Sequence, residues 1–455
     1  VYPLQIIGEQ YIMEKFLWGV STAAAQVEGG YDKDGRSLSI WDVASLTGRI
    51  TDGHSTFNTC NTYNNVAEDV KILKQLGVNS YRFSLSWSRI LPNGTGDINE
   101  AGVKYYNELI DGLLKNGIEP FVTLYHWDLP QCLMNKGGLL NEDFADWFEY
   151  YAAVCAKTFG NRVRYFTTFN EPECICDLGY GKGLHAPYIN GGIENAVIAA
   201  HNLLRANGKA CKAIKKYSAN GVKVGIVLAC SPKMPDKETD IESARTAMFQ
   251  SKGDNLFNNI WFTDAILFGR YPENILNGFS RKNIYGIDDM TDIKVDIDFI
   301  GLNVYQAERI TTLENGGYKA VFQPLNTLKS SSGCNCVPQC VYYAAKYMSE
   351  RYNGIPIYIT ENGMSLPDTI GLDGKVNDDA RELFIDGHVK EVVKAKKDGI
   401  NLCGYFHWSL YDNLEWNSGF SERFGVVYTD FKTYEKIPKK SFRHYAELID
   451  RYRDL

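Results

Sequence analysis

Eight short β-rich runs recur along this 455-residue chain, and helical sequence separates each from the next. That alternation narrows the fold more than any other feature. The runs lie at 16–24, 80–86, 120–126, 165–170, 223–230, 298–305, 356–360 and 402–409. Between them, apolar residues step at helical spacing. In 66–76, Val66, Val70, Leu73 and Leu76 share one face, and Gly77 supplies a stop. Similar patterns at 105–114 and 144–159 predict two further helices. Strand–helix alternation implies a parallel sheet, and eight repeats imply that it closes. The predicted class is α/β, a single (β/α)8 TIM barrel over 13–455 with long loops at the C-terminal face of the strands. Residues 1–12 are read as an N-terminal extension outside that unit.

The open nucleotide-binding α/β folds lose support. No G-x-G-x-x-G follows the first run, and no G-x4-G-K-[ST] occurs. With 48 Lys+Arg against 55 Asp+Glu the net charge is −7, which argues against a nucleic-acid partner. No stretch approaches the length and apolarity of a membrane span. The N-terminus carries no basic-led apolar run, so a secretory signal is not visible, and the eleven Cys are read as reduced thiols in a cytoplasmic protein. The spacings Cys174-x-Cys176 and Cys334-x-Cys336-x3-Cys340 raise a metal site, but no Cys or His partner lies at a suggestive offset, so neither metal nor cofactor is expected.

Polar groups gather where the runs end: Gln26 after the first, Arg82 in the second, His126 and Trp127 after the third, and Asn170 and Glu171 after the fourth. Asn303 and Tyr305 follow in the sixth, Glu361 after the seventh and Trp408 in the eighth. In a barrel these side chains converge on one rim. Two carboxyls facing one pocket suit cleavage of a glycosidic bond, one protonating the leaving oxygen while the other attacks or activates water. Their separation decides between retention and inversion, and a sequence does not supply it. The 29 Tyr and 8 Trp fit sugar recognition as well as a core, since ring faces cover apolar sugar faces.

T-F-N-E-P at 168–172 and I-T-E-N-G at 359–363 resemble the two catalytic signatures of glycoside hydrolase family 1, the β-glucosidase family. The resemblance runs from about 16 to 445, through F-L-W-G-V-S-T-A-A-A-Q-V-E-G at 16–29, Y-R-F-S-L-S-W-S-R-I-L-P at 81–92 and L-Y-H-W-D-L-P at 124–130. G-L-N-V-Y at 301–305 and W-S-L-Y-D-N-L-E-W at 408–416 complete it. It implies a retaining β-glycosidase with Glu171 as general acid/base and Glu361 as nucleophile. Arg82 and Tyr305 would hold Glu361 anionic, and Asn170 would meet the sugar 2-OH. Gln26, His126, Trp127, Asn303, Trp408, Glu415, Trp416 and Phe424 resemble the set that binds the terminal sugar.

The implied substrate is a small β-glycoside or short oligosaccharide, glucosides first, with galactosides and fucosides as further substrates. An anionic Glu415 would repel a 6-phosphate, which disfavours the 6-phospho-β-glycosidase branch. A non-catalytic sugar-binding relative is the other alternative, and both carboxyls are present here. Two positions depart from the family. Cys334, in G-C-N-C-V-P at 333–338, stands where a Trp often lines the aglycone side, implying a roomier and less stacking wall. His407 replaces an apolar residue and reads as a packing histidine.

Overall fold

A computed structural model describes residues 6–7, 10–11, 15–251, 255–272, 284, 286 and 289–455. Eight parallel strands close into a barrel: β1 (Leu17–Ser21), β2 (Ser80–Ser84), β3 (Glu119–Tyr125), β4 (Tyr165–Asn170), β5 (Lys223–Ala229), β6 (Phe299–Asn303), β7 (Ile357–Asn362) and β8 (Leu402–Trp408). Each pairs with its sequence neighbours, and β8 pairs with β1 from Gly404↔Leu17 to Trp408↔Ser21, which closes the ring. The eight predicted runs are these eight strands. The seventh extends two residues further than its apolar run suggests, because Glu361 and Asn362 still pair with β6 and β8. Most of the assigned extension 1–12 lies outside the described residues, although Ile6–Ile7 pairs with Gln10–Tyr11.

Helices surround the sheet: α1 (Val66–Leu76), α2 (Glu100–Lys115), α3 (Phe144–Phe159), α4 (Gly192–Tyr217), α5 (Trp261–Phe268), α6 (Gln339–Arg351), α7 (Asp379–Lys397) and α8 (Lys440–Arg451). The 66–76 pattern folds as read: Val70, Leu73 and Leu76 are buried, while Gly77 at φ 79° ends the helix by donating to the Leu73 and Lys74 carbonyls.

One end of the barrel is plugged. Leu17, Phe121, Tyr165, Phe299, Tyr358 and Phe406 form a buried cluster near the strand starts. Such rings need room, and glycine provides it: a Cβ at Gly19 would lie 2.3 Å from the Phe406 ring, and one at Gly225 2.5 Å from that of Phe299. With this end filled, the opposite rim is left for a cavity.

Candidate active site

A cavity of about 370 Å3 opens at the C-terminal ends of the strands. Of the side chains singled out from sequence, His126, Trp127, Asn170, Glu171, Asn303, Tyr305, Cys334, Glu361, Trp408, Glu415, Trp416 and Phe424 all line it. Arg82 and Gln26 do not. They lie fully buried and reach residues that do, Gln26 to Glu415 and Arg82 to Glu361. Both carboxyl-bearing strand ends are irregular. The β4–β5 register shifts between Thr167 and Asn170, and β7 shifts against β6 between Ile359 and Glu361. Such irregularities re-aim side chains at barrel rims. Three cavity residues also sit at positive φ, Trp127 at 79°, Glu171 at 51° and Trp416 at 49°. Each costs about 1–3 kcal/mol, a strain that surrounding packing must hold in place.

The two carboxyls are held differently. Arg82 Nη1 donates to Glu361 Oε1 at 2.7 Å, and Tyr305 Oη donates to Oε2 at 2.7 Å. Burial pushes this carboxyl above its usual range, while the Arg82 charge and the hydrogen bonds pull it back. Glu171 has neutral donors instead: Asn303 Nδ2 at 2.8 Å on Oε1 and the Cys174 thiol at 3.2 Å on Oε2. It is pushed up to about 7, first by burial and second by the charge of Glu361.

Asn170 ties the pair together. Its Oδ1 accepts from Arg82 Nη2 at 2.6 Å and from Asn303 Nδ2 at 3.0 Å. Turning the amide over would press an NH2 against a guanidinium, so the amide orientation is settled by its partners. Asn170 Nδ2 therefore donates to His126 Nε2 at 3.0 Å. Burial lowers the His126 imidazole well below its usual range, so it is neutral and carries its proton on Nδ1. Thr360 Oγ1 donates to Asn303 Oδ1 at 2.8 Å, which in turn orients Asn303.

On the far wall the His126 ring lies 5.8 Å from Trp408 and 6.0 Å from Trp416, near parallel to both. Trp416 is backed by Trp127 and Trp41 at 4.5 and 4.6 Å. Phe424 packs with Trp408, and Tyr305 lies against them. Gln26 Nε2 donates to the Leu414 carbonyl at 2.8 Å and reaches Glu415 Oε2 at 3.4 Å.

Glu415 departs from the sequence reading of a plain anion. Burial, then Glu361, Glu171 and Glu422, push it up to about 8, which favours its protonated form. Three carboxyls line the cavity, and among the described residues no Lys or Arg does.

The model of glycosyl hydrolase family 1 matches residues 9–453. The chain belongs to that family. It is 42% identical to β-glucosidase A of Thermotoga maritima, covering 96% of this chain and 97% of that one. It is 41% identical to a 1,4-β-D-glucan glucohydrolase of Thermotoga neapolitana, with 96% and 97% covered. Among solved structures, a β-glucosidase from Thermotoga maritima in complex with glucoimidazole superposes with a TM-score of 0.86 at 40% identity, covering 96% of this chain and 98% of that one. Glycosidases of family 1 are retaining.

In this family 1 chain, several cavity residues escaped the sequence reading. Ala229 ends β5, Cys230 and Ser231 follow it, and Phe257 and Gln306 lie in loops. The residues after β5 are small and carry no carboxyl, imidazole or amine, and Phe257 sits in no periodic segment. The cysteine spacings resolve differently from a metal reading: Cys334 lines the cavity, Cys336 and Cys340 are buried, and Cys174 serves Glu171. The signal for the last was present, since positions i and i+3 are neighbours on a helical turn. His407 is fully buried and packs against Phe384 and Tyr445.

The Cys174 contact carries a test. Burial keeps the thiol protonated, so S–H is the donor and favours ionised Glu171. Cys174→Val should move the alkaline limb of kcat/KM about half a pH unit upward, while Cys174→Ser should leave it in place or lower it. An unmoved limb in the Val variant would remove any role for the thiol.

Proposed function

We propose that this chain is a retaining β-glucosidase that releases terminal β-D-glucosyl residues, from cellobiose and short β-glucans, and accepts galactosides and fucosides as secondary substrates. Residues 13–455 form the catalytic unit in this reading, with 1–12 outside it. The observation that carries the proposal is the unequal treatment of two carboxyls in one cavity. Glu361 meets a guanidinium and a phenol, whereas Glu171 meets only neutral donors and retains a proton near neutrality.

The chemistry follows from that asymmetry. Glu361 attacks the anomeric carbon as the bond to the leaving oxygen breaks, and Glu171 passes its proton to that oxygen. The product is a glycosyl ester on Glu361. Forming the ester removes the Glu361 charge, one of the two causes that hold Glu171 protonated. Glu171 then ionises more readily and takes a proton from water, whose oxygen displaces Glu361 and restores the starting state. Asn170 has a second amide hydrogen to offer the 2-OH, where a hydrogen bond strengthens in the transition state. Trp408, Trp416 and His126 supply the ring faces, and Gln26 with Glu415 the outer hydroxyl contacts. Neither step calls on a metal, because the carboxyls supply acid, base and nucleophile.

Neutral sugars are favoured over 6-phosphates because no cationic side chain on the described lining would offset the cost of burying a phosphate dianion, with Glu361 already anionic in the same cavity. Seven of the eleven cysteines are buried as small packed thiols, which supports a reducing, cytoplasmic setting. No described helix is long and apolar enough to cross a membrane. The deciding assay compares 4-nitrophenyl β-D-glucoside with its 6-phosphate. Turnover of the neutral compound alone is expected. Turnover of the phosphate alone would overturn the substrate while keeping the carboxyl pair.

A further inference from the structure

A second cavity, of about 440 Å3, adjoins the first. The two share Ser231 and Gln306, and Asn335 of the second directly follows Cys334 of the first, so they form one trough. Its direction is set by where it starts. Ser231 lies just beyond β5, whose Val227 carbonyl accepts the Glu171 N–H at 2.8 Å and whose Ala229 N–H donates to Glu173 at 3.2 Å. The trough therefore leaves the site from the Glu171 side, opposite the wall of Trp408 and Glu415. Material leaving along it is attached to the oxygen that Glu171 protonates.

A small side sheet forms the wall. Lys233–Pro235 pairs in parallel with Glu308–Thr312, which pairs antiparallel with Tyr318–Val321. Lys233 is held by Glu308 at 2.8 Å and Arg309 by Asp236 at 3.0 Å, so the charges on this wall are neutralised in place. Gln323 Nε2 donates to the Ala307 carbonyl at 2.9 Å, which ties the segment after the hairpin to the sheet. Between them Phe322 lines the trough and is 96% exposed. Among the described residues no other aromatic is more than 42% exposed. A ring left in water beside a polar, charge-neutral wall is an arrangement suited to a sugar ring, which stacks one face and hydrogen-bonds with its edge.

We propose that this trough is an acceptor-side binding site for a β-linked gluco-oligosaccharide, with Phe322 stacking on a sugar at least two units from the cleaved bond. The inference rests on the β-glucosidase reading above and adds a chain-length preference to it. The Cys334 wall contributes no ring at the start of the trough, so the aromatic contact falls further out.

The test measures kcat/KM for 4-nitrophenyl β-D-glucoside and for cello-oligosaccharides of two, three and four units. In the unmodified protein, kcat/KM should rise several-fold between two and four units. In Phe322→Ala the ratio of the tetraose value to the aryl-glucoside value should fall about fivefold, the size of one aromatic contact. Phe322→Trp should restore it. A flat chain-length series, or an unchanged ratio in Phe322→Ala, would overturn the trough as a sugar site and leave the exposed ring to some other partner. Failure to hydrolyse the aryl glucoside at all would instead sink the underlying activity, a separate and recognisable result. The residue is exposed, so its replacement does not endanger the fold.

Discussion

Glu361→Ala should lower kcat on an aryl β-glucoside by at least about ten-thousand-fold, the scale seen when a nucleophile is removed from an intact catalytic unit. The loss has a definite physical source. No group remains on that face to form the covalent ester, while Arg82 and Tyr305 keep their donors aimed at the vacated space. A small anion such as azide should enter that space, since it accepts the same donors. It would attack the anomeric carbon from the Glu361 face and expel the leaving group from the other, so the product should be the α-glycosyl azide. Proton NMR reads the configuration. A β-azide, or substantial activity without azide, would show that Glu361 is not the nucleophile. Glu361→Gln separates chemistry from folding. It keeps an acceptor for the buried guanidinium, whose loss of a partner is otherwise strongly destabilising. It should fold normally and be equally inactive.

The barrel was legible because its strands are buried on both faces and read as short apolar runs between helical patterns. Val66–Leu76 and Phe144–Phe159 match their predicted bounds, and Tyr165–Asn170 does too. The end of β7 was harder, because Glu361 and Asn362 are polar residues that stay in the sheet to face a cavity. Most of the candidate site was legible from polar groups at strand ends. What the chain order did not convey was mutual influence. Glu415 reads as an anion until Glu171, Glu361 and Glu422 are seen to act on it together in a desolvated pocket. Cys174 reads as half of a metal pair until the turn after β4 sets its thiol against Glu171. For Glu171, burial acts ahead of the neighbouring Glu361 charge, and chain order conveys neither.

Glu171→Gln should divide substrates by leaving group. A sugar alkoxide is a poor leaving group and needs the proton, so kcat/KM on cellobiose should fall about a thousandfold, within the usual range of general acid catalysis. A 2,4-dinitrophenyl glucoside leaves unaided, so its first step should stay fast and release a burst of phenolate before the slow hydrolysis of the ester. Azide should again accelerate turnover, but it now attacks an ester already formed on the Glu361 face. It arrives from the opposite side, and the product should be the β-azide, the reverse of the Glu361→Ala result. The pH profile supplies an independent sign. In the unmodified protein the acid is competent below about 7, and one unit above that only about a tenth of molecules carry the proton, so kcat/KM should fall along an alkaline limb centred near 7. Gln does not titrate, so that limb should vanish from the residual activity of Glu171→Gln. A limb that survives would belong to another group, Glu415 at about 8 being the one at hand, and would move the acid's role away from Glu171. The opposed azide products and the lost limb together test the division of labour between two carboxyls that differ in the neighbours each has been given.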